Sequence, residues 1–154
     1  DMIRSLIATC LLLTCVNPTH ARKPADVFGG EIILSTRPFP TSFKSDKAFI
    51  RHMKKVKTQK FYYGEKEYID VEMMAFFTRT LVATEVVCKV LNLSDRKQLV
   101  TQFSIYPANR KNRILASSFR ITKERFDPNK TYQLYLEHRN EALAQVRFSV
   151  HKPK

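Results

Sequence analysis

The sequence predicts a mostly β protein, an antiparallel β-sandwich of about seven or eight short strands with one amphipathic basic helix inserted after the first strand. Apolar and polar residues alternate with a period of two along most of the chain beyond residue 58, which is typical of half-buried strands. Turn residues separate these runs at roughly the 8–12-residue spacing of sandwiches and barrels. A convincing helical period appears once, in residues 45–56, and predicts the inserted helix.

The first strand and the helix are bounded by clear local signals. Residues 31–36 form a short β-rich run that follows two glycines and ends at residues 37–40, whose two prolines cannot donate to a β-ladder. Ser45 is a suitable N-cap, and Asp46 places a negative charge in the first helical turn. Apolar residues fall on one stripe that we expect to pack on the sheet or across its open edge: Phe49, Ile50, Met53 and Val56.

Seven further strands are predicted from the alternating runs. In the run that begins at Ile69, the odd-numbered residues are expected to face the core and the even-numbered ones, including Asp70 and Glu72, to face solvent. The next run places Cys88 in the core-facing register, between Val86 and Val90. The predicted strands are residues 58–63, 69–77, 82–90, 98–106, 113–123, 132–136 and 144–150.

One segment resembles a known fold. Residues 126–136, Phe-Asp-Pro-Asn-Lys-Thr-Tyr-Gln-Leu-Tyr-Leu, are similar to the pattern before the sixth strand of fibronectin type III and other immunoglobulin-like domains. The resemblance implies an immunoglobulin-like sandwich in which the hydroxyl of Tyr132 donates to upstream backbone. The chain departs from the family by having no Trp and by its inserted helix. Because this fold supports many functions, the resemblance implies none of them.

The N-terminal residues are typical of a secretory signal peptide. Arg4 precedes a mostly apolar run over residues 5–16, and Ala21 ends a small-residue cleavage pattern. The run is shorter than the roughly 20 residues of a membrane span. We therefore expect a signal peptide at residues 1–21, a short leader at 22–30 and one domain at 31–151, exported to the periplasm or the exterior without a transmembrane segment. Cys15, in a lipobox-like context, is a less favoured lipidation site.

The net charge indicates the class of partner, and the cysteine content indicates how the fold is stabilised. The net charge of +13 favours anionic partners but names none. Cys88 is the one cysteine beyond residue 21, so no internal disulfide is expected, and core filling is the favoured role for its thiol.

No catalytic or metal motif is evident. His52, His138 and His151 lack the spacing of metal ligands, so we expect no metal and no cofactor. Asp70 and Glu72 could form a carboxylate pair for glycoside chemistry or a weak calcium site, although solvation is favoured. The sequence therefore predicts a protein that is not an enzyme.

Two asparagines occupy the acceptor position of glycosylation sequons. Asn92-Leu93-Ser94 and Asn129-Lys130-Thr131 both fall in predicted turns, where attached sugar would be exposed. The pattern has meaning only in a eukaryotic secretory pathway, so it leaves their use open.

Two basic clusters provide the functional hypothesis. One lies on the predicted helix and the other on a predicted loop at residues 109–113, against a single acid in the helix, Asp46. We expect a binding or accessory module of the cell envelope that contacts an acidic protein surface or an anionic polymer, with no specific nucleic acid. The alternatives are an accessory subunit with a salt-insensitive surface and, less favoured, a hydrolase. The candidate binding residues are Lys47, Arg51, Lys54, Lys55, Lys57, Arg110, Lys111 and Arg113.

Overall fold

A computed structural model describes residues 21–154, so the expected signal peptide and Cys15 lie outside the described residues. The described part is mostly β. In chain order its elements are α1 (Pro24–Val27), β1 (Ile32–Ser35), α2 (Asp46–Val56), β2 (Lys60–Tyr62), β3 (Tyr68–Val82), β4 (Val86–Asn92), β5 (Gln98–Ile105), β6 (Lys111–Thr122), β7 (Lys130–His138) and β8 (Glu141–His151).

The strands of residues 21–154 form two sheets. The first has the order β1-β3-β6 and the second the order β2-β8-β7-β4-β5. Neighbouring strands pair antiparallel except β2, which runs parallel to β8. The predicted mostly β architecture with eight strands and an inserted helix is confirmed in this part of the chain.

One hydrophobic cluster draws side chains from both sheets. β3 contributes its odd-numbered residues from Val71 to Phe77, as the alternation predicts. β4 contributes Val86, Cys88 and Val90, while Phe148 of β8 packs against other aromatic rings of the cluster. Burial of this apolar surface is the main stabilising contribution to the fold.

A second cluster lies on the opposite face of β3, beneath α2. Met53 is fully buried there together with Ile33 of β1 and Phe76 of β3, and the half-buried Phe49, Ile50 and Val56 pack around them. The predicted docking of the helix stripe on a sheet is therefore confirmed. Because both of its faces are covered, the sheet has fully buried strand segments where simple alternation would leave one face exposed.

The helix begins and ends where its caps predict. The side chain of Ser45 accepts a hydrogen bond from the backbone N–H of Ala48 at 3.1 Å, and the N–H of Lys57 donates to the carbonyl of Met53. Asp46 lies in the first turn and Lys54 in the last, where both charges complement the helix dipole.

The segment at residues 22–30 packs against the sheets. Pro24 opens the single turn of α1, and both Ala25 and Phe28 are buried. Phe28 joins the cluster beneath α2 at 5.0 Å from the ring of Phe76. The expectation of a linker-like leader overlooked this apolar anchor.

Several predicted strand boundaries differ from the structure, and two differences bear on the basic loop. β3 continues to Val82, and the predicted run at residues 82–90 begins as a strand only at Val86. The basic segment at residues 109–113, predicted as a loop, extends into β6, which begins at Lys111 and pairs with the end of β3. This longer β3–β6 pairing places the loop at the end of the sheet.

Tyr132 makes the backbone hydrogen bond that the resemblance implies. Its ring is fully buried at the start of β7, and its hydroxyl donates to the carbonyl of Asp127 at 3.1 Å. A second tyrosine reinforces this corner, because the hydroxyl of Tyr63 donates to the carbonyl of Phe126 at 2.6 Å. Both bonds secure the connection between β6 and β7.

Cys88 is predicted to resist thiol reagents in the native state. Its side chain is fully buried, and burial raises the pKa of the thiol to about 12, which leaves little reactive thiolate at neutral pH. In a chain with Cys10 and Cys15 replaced by serine, labelling should remain slow until denaturant is added. A Tyr106→Cys variant that also carries Cys88→Ala is the exposed control; equally fast native labelling of Cys88 would contradict its burial.

Candidate functional site

The exposed side of α2 carries a group of cations that we call the helix face: Lys47, Arg51, Lys54 and Lys55. All four are exposed, and no carboxylate of residues 21–154 lies within salt-bridge distance of them. The apolar stripe below them is fixed on the sheet. The helix face is therefore a rigidly mounted, uncompensated positive surface.

Lys57 contributes to the structure instead. It follows the helix, and its ammonium lies 3.3 Å from the carboxylate of Glu31 next to β1. Together with the hydrogen bond from the N–H of Thr58 to the carbonyl of Leu34, this contact ties the end of α2 to the sheet.

The predicted loop cluster separates into residues with different roles. Arg113 lies in β6, 3.3 Å from the carboxylate of Asp26 in α1, and also donates to the carbonyls of Phe77 and Thr78. It therefore fastens α1 to the sheet. Lys111 is exposed at the start of β6, and Arg110 is exposed in the preceding loop.

The two basic clusters do not converge in the described structure. α2 packs near β1 and the middle of β3, whereas Arg110 bonds through its carbonyl to the N–H of Ala83, beyond the end of β3. The helix face and the end of the sheet near Arg110, which we call the loop end, are therefore separate candidate surfaces.

The acidic residues considered for hydrolysis are divided between different environments. The carboxylate of Asp70 is held by Arg120 at 2.8 Å, and that of Glu67 by Lys123 at 3.0 Å. Glu72 lies beside an apolar groove near α2. No histidine in residues 21–154 makes a hydrogen bond to either Asp70 or Glu72.

The histidines are also dispersed. His52 packs on the ring of Phe43, and His151 stacks on Tyr62. The Nδ1 atom of His138 lies 3.2 Å from the carbonyl of Glu85. Within residues 21–154, no group of three or more His, Cys, Asp or Glu side chains is placed to hold a metal ion.

The sequons occupy different environments. Asn92 ends β4 with 8% of its surface exposed, and its side-chain oxygen accepts from the N–H of Ser94. Asn129 is exposed in the turn before β7, in the left-handed region at φ 62°. Of the two, only Asn129 has the accessibility that attachment of a sugar requires.

Two of the concave surfaces of the described residues lie beside the basic clusters, and neither was predicted from the sequence. One is a groove of about 440 Å³ beside α2, lined by Phe39, Phe43, Phe49 and Ile114 among others. The other is a cavity of about 280 Å³ at the loop end, to which Arg110 contributes. Each combines segments far apart in the chain, and the sequence contains no local signal for that combination.

Comparison with known proteins leaves the function open. No family model and no curated protein matches the chain. Among solved structures, a β-glucosidase from Listeria innocua in complex with gluconolactone aligns with 80% of this chain and 16% of its own, at 12% identity and a TM-score of 0.37. The chain thus spans about a sixth of that enzyme's length, and likeness at this level supports no functional argument. Among residues 21–154, no helix is long and apolar enough to cross a membrane.

Proposed function

We propose that this protein is an exported, non-enzymatic binding or accessory module of the cell envelope that contacts an acidic partner through its basic helix, with the loop at Arg110 and Lys111 as a further contact. The observation that carries the proposal is the helix face. Among the described residues, Lys47, Arg51, Lys54 and Lys55 have no carboxylate within salt-bridge distance, and they lie on one short helix whose apolar stripe is docked on the sheet. Export rests on the signal-like N-terminus.

The proposal includes an immunoglobulin-like sandwich as the scaffold. The sheet orders β1-β3-β6 and β2-β8-β7-β4-β5 support it, as does the bond between the hydroxyl of Tyr132 and the carbonyl of Asp127, which is a feature of the corner before the sixth strand of such domains. Sandwiches of this kind often bind partners through surfaces added to a rigid core, and α2 is such an addition.

Reversal of the helix-face charges tests the proposal. We expect the variant K47E/R51E/K54E/K55E to fold, because exposed charges contribute little to stability individually and the apolar stripe is unchanged. Its affinity for poly-L-glutamate, the acidic probe, should fall by about ten-fold or more at low salt, where the Debye length is roughly 10 Å or longer. Fluorescence anisotropy at several salt concentrations measures the loss.

A matched variant controls for net charge. Arg37, Lys60, Arg147 and Lys152 are exposed and unpaired among the described residues. Their reversal to glutamate also changes the charge by two per site, so both variants fall from +13 to +5. Equal losses in the two variants would show that net charge, not the helix face, governs binding.

The alternative is an accessory subunit with a salt-insensitive surface. The apolar groove beside α2, with Phe43 and Ile114 in its lining, is the observation that favours it. A native partner retained by the helix-face variant at high salt would support this alternative and exclude the electrostatic one. The less favoured alternative, a hydrolase, would use Asp70 and Glu72, of which Asp70 is paired with Arg120.

A further inference from the structure

We infer that the cavity at the loop end is a binding site for a tetrahedral oxyanion such as phosphate. This cavity is a surface cleft of about 280 Å³, open to solvent, where the end of β3, the β5–β6 loop and the β7–β8 turn meet. Its lining consists of Val82, Ala83, Thr84, Arg110, His138 and Arg139. The inference deepens the proposed function at its loop contact, because Arg110 belongs to both.

The chemistry of the lining favours an anion. Two arginines, Arg110 and Arg139, line the cavity together with Thr84 and His138. No carboxylate is among the residues that line it. Because arginine remains protonated at any physiological pH, the cavity has a permanent positive charge.

The acids next to these residues in the chain are engaged elsewhere. Glu85 accepts a hydrogen bond from the hydroxyl of Ser104 at 2.5 Å. Glu137 pairs with Lys89 on the neighbouring strand, and Glu141 binds Arg79 at 2.8 Å. The two cavity arginines form no salt bridge with any residue in 21–154, so their charge is left for a ligand.

Backbone contacts fix the two chain segments that carry the arginines. The N–H of Ala83 donates to the carbonyl of Arg110 at 3.1 Å, which joins the loop to the end of β3. Arg139 and Asn140 form a two-residue turn with φ of 51° and 63°, as a type I′ turn requires.

The number of hydrogen-bond donors in the lining favours a tetrahedral anion over a carboxylate. Each guanidinium presents five N–H donors in a planar fork, and Thr84 can add its hydroxyl. When the Nδ1–H of His138 donates to the carbonyl of Glu85, Nε2 of the neutral ring is an acceptor, so the donors are those of the two guanidiniums and of Thr84. These donors exceed what the two oxygens of a carboxylate can use, whereas the oxygens of phosphate or sulfate can engage several of them together.

The test is a titration of the full chain with inorganic phosphate at constant ionic strength, followed by amide NMR. We expect saturable shifts at Thr84, Arg139 and Asn140, and affinity about ten-fold or more weaker in the variant R110Q/R139N, since charge-assisted bonds from both guanidiniums are lost. Asparagine tolerates positive φ, so the turn is preserved, and the amide spectrum verifies the fold. Acetate should bind more weakly than phosphate.

The control variant R37Q/R147Q removes the same charge at exposed positions outside the cavity and should bind phosphate normally. The inference is overturned if R110Q/R139N binds phosphate like the wild type, if both pairs lose affinity equally, or if acetate binds as tightly as phosphate. Vesicles of phosphatidylcholine with and without phosphatidic acid identify the source of the phosphate. Binding to the phosphatidic acid vesicles that depends on Arg110 and Arg139 supports a lipid phosphate. Binding of inorganic phosphate without binding to these vesicles supports free phosphate. The helix-face variant should retain phosphate binding, so the two proposals fail separately.

Discussion

We expect Met53→Ala to lower the free energy of unfolding by about 2–5 kcal/mol. Met53 is the fully buried residue of α2, enclosed by Ile33, Met74 and Phe76 of the sheet and by Phe28. Truncation leaves a cavity that rigid strands cannot close, so the loss combines the transfer free energy with the cavity cost. Urea unfolding followed by circular dichroism measures it.

Phe49 and Lys54 provide the comparison on the same helix. Phe49 is half-buried and stacks edge-to-face on Phe43 at 4.7 Å, so Phe49→Ala should cost less than Met53→Ala. From the apolar stripe alone, the sequence predicts that Phe49→Ala loses about 3 kcal/mol or more of stability. Lys54→Ala, at an exposed position, should stay within about 0.5 kcal/mol of the wild type. A loss at Met53 no larger than that at Lys54 would show that the helix is not docked.

The period of the side chains predicted most strands and the face of β3 that meets the other sheet, because alternation is a local property. It did not predict that Met74 and Phe76 would also be buried, since that depends on where α2 packs. The continuous apolar run at residues 73–77 is the signal of a strand covered on both faces. Val27 and Phe28, in an otherwise mostly polar segment, are the local signal of an anchor that the sequence-based prediction did not use.

The candidate surfaces were harder to predict from the sequence than the strands. Lys57 and Arg113 are indistinguishable from the other basic residues along the chain, yet they bind Glu31 and Asp26, the latter 87 residues from Arg113. Likewise, the turn at Arg139 is local, but its position beside Arg110 results from sheet order. Charge composition therefore predicts an attraction to anions, whereas only the tertiary structure separates structural cations from available ones.

The protein should lose stability steeply as the pH rises above about 9, although its calculated isoelectric point is 9.9. Burial is the main cause that raises the pKa of Cys88 from 9.0 to about 12, and those of Tyr63 and Tyr132 from 10.0 to about 12. The unfolded chain therefore releases these protons at lower pH than the native protein. The stabilisation is complete below pH 9 and is lost progressively toward pH 12.

Each proton that only the unfolded chain releases lowers the free energy of unfolding by about 1.4 kcal/mol per pH unit. Cys88 alone should therefore lower it by roughly 2–3 kcal/mol between pH 9 and 11. The two tyrosines add to this loss above pH 10. Urea unfolding of freshly reduced protein at both pH values measures the loss. Between the two pH values, the Cys88→Ala variant should lose roughly 2–3 kcal/mol less of its free energy of unfolding than the wild type, because alanine releases no proton. Tyr106→Phe removes a tyrosine that is 72% exposed and should retain the wild-type slope. The same slope in all three proteins would show that ionisation of Cys88 does not oppose folding.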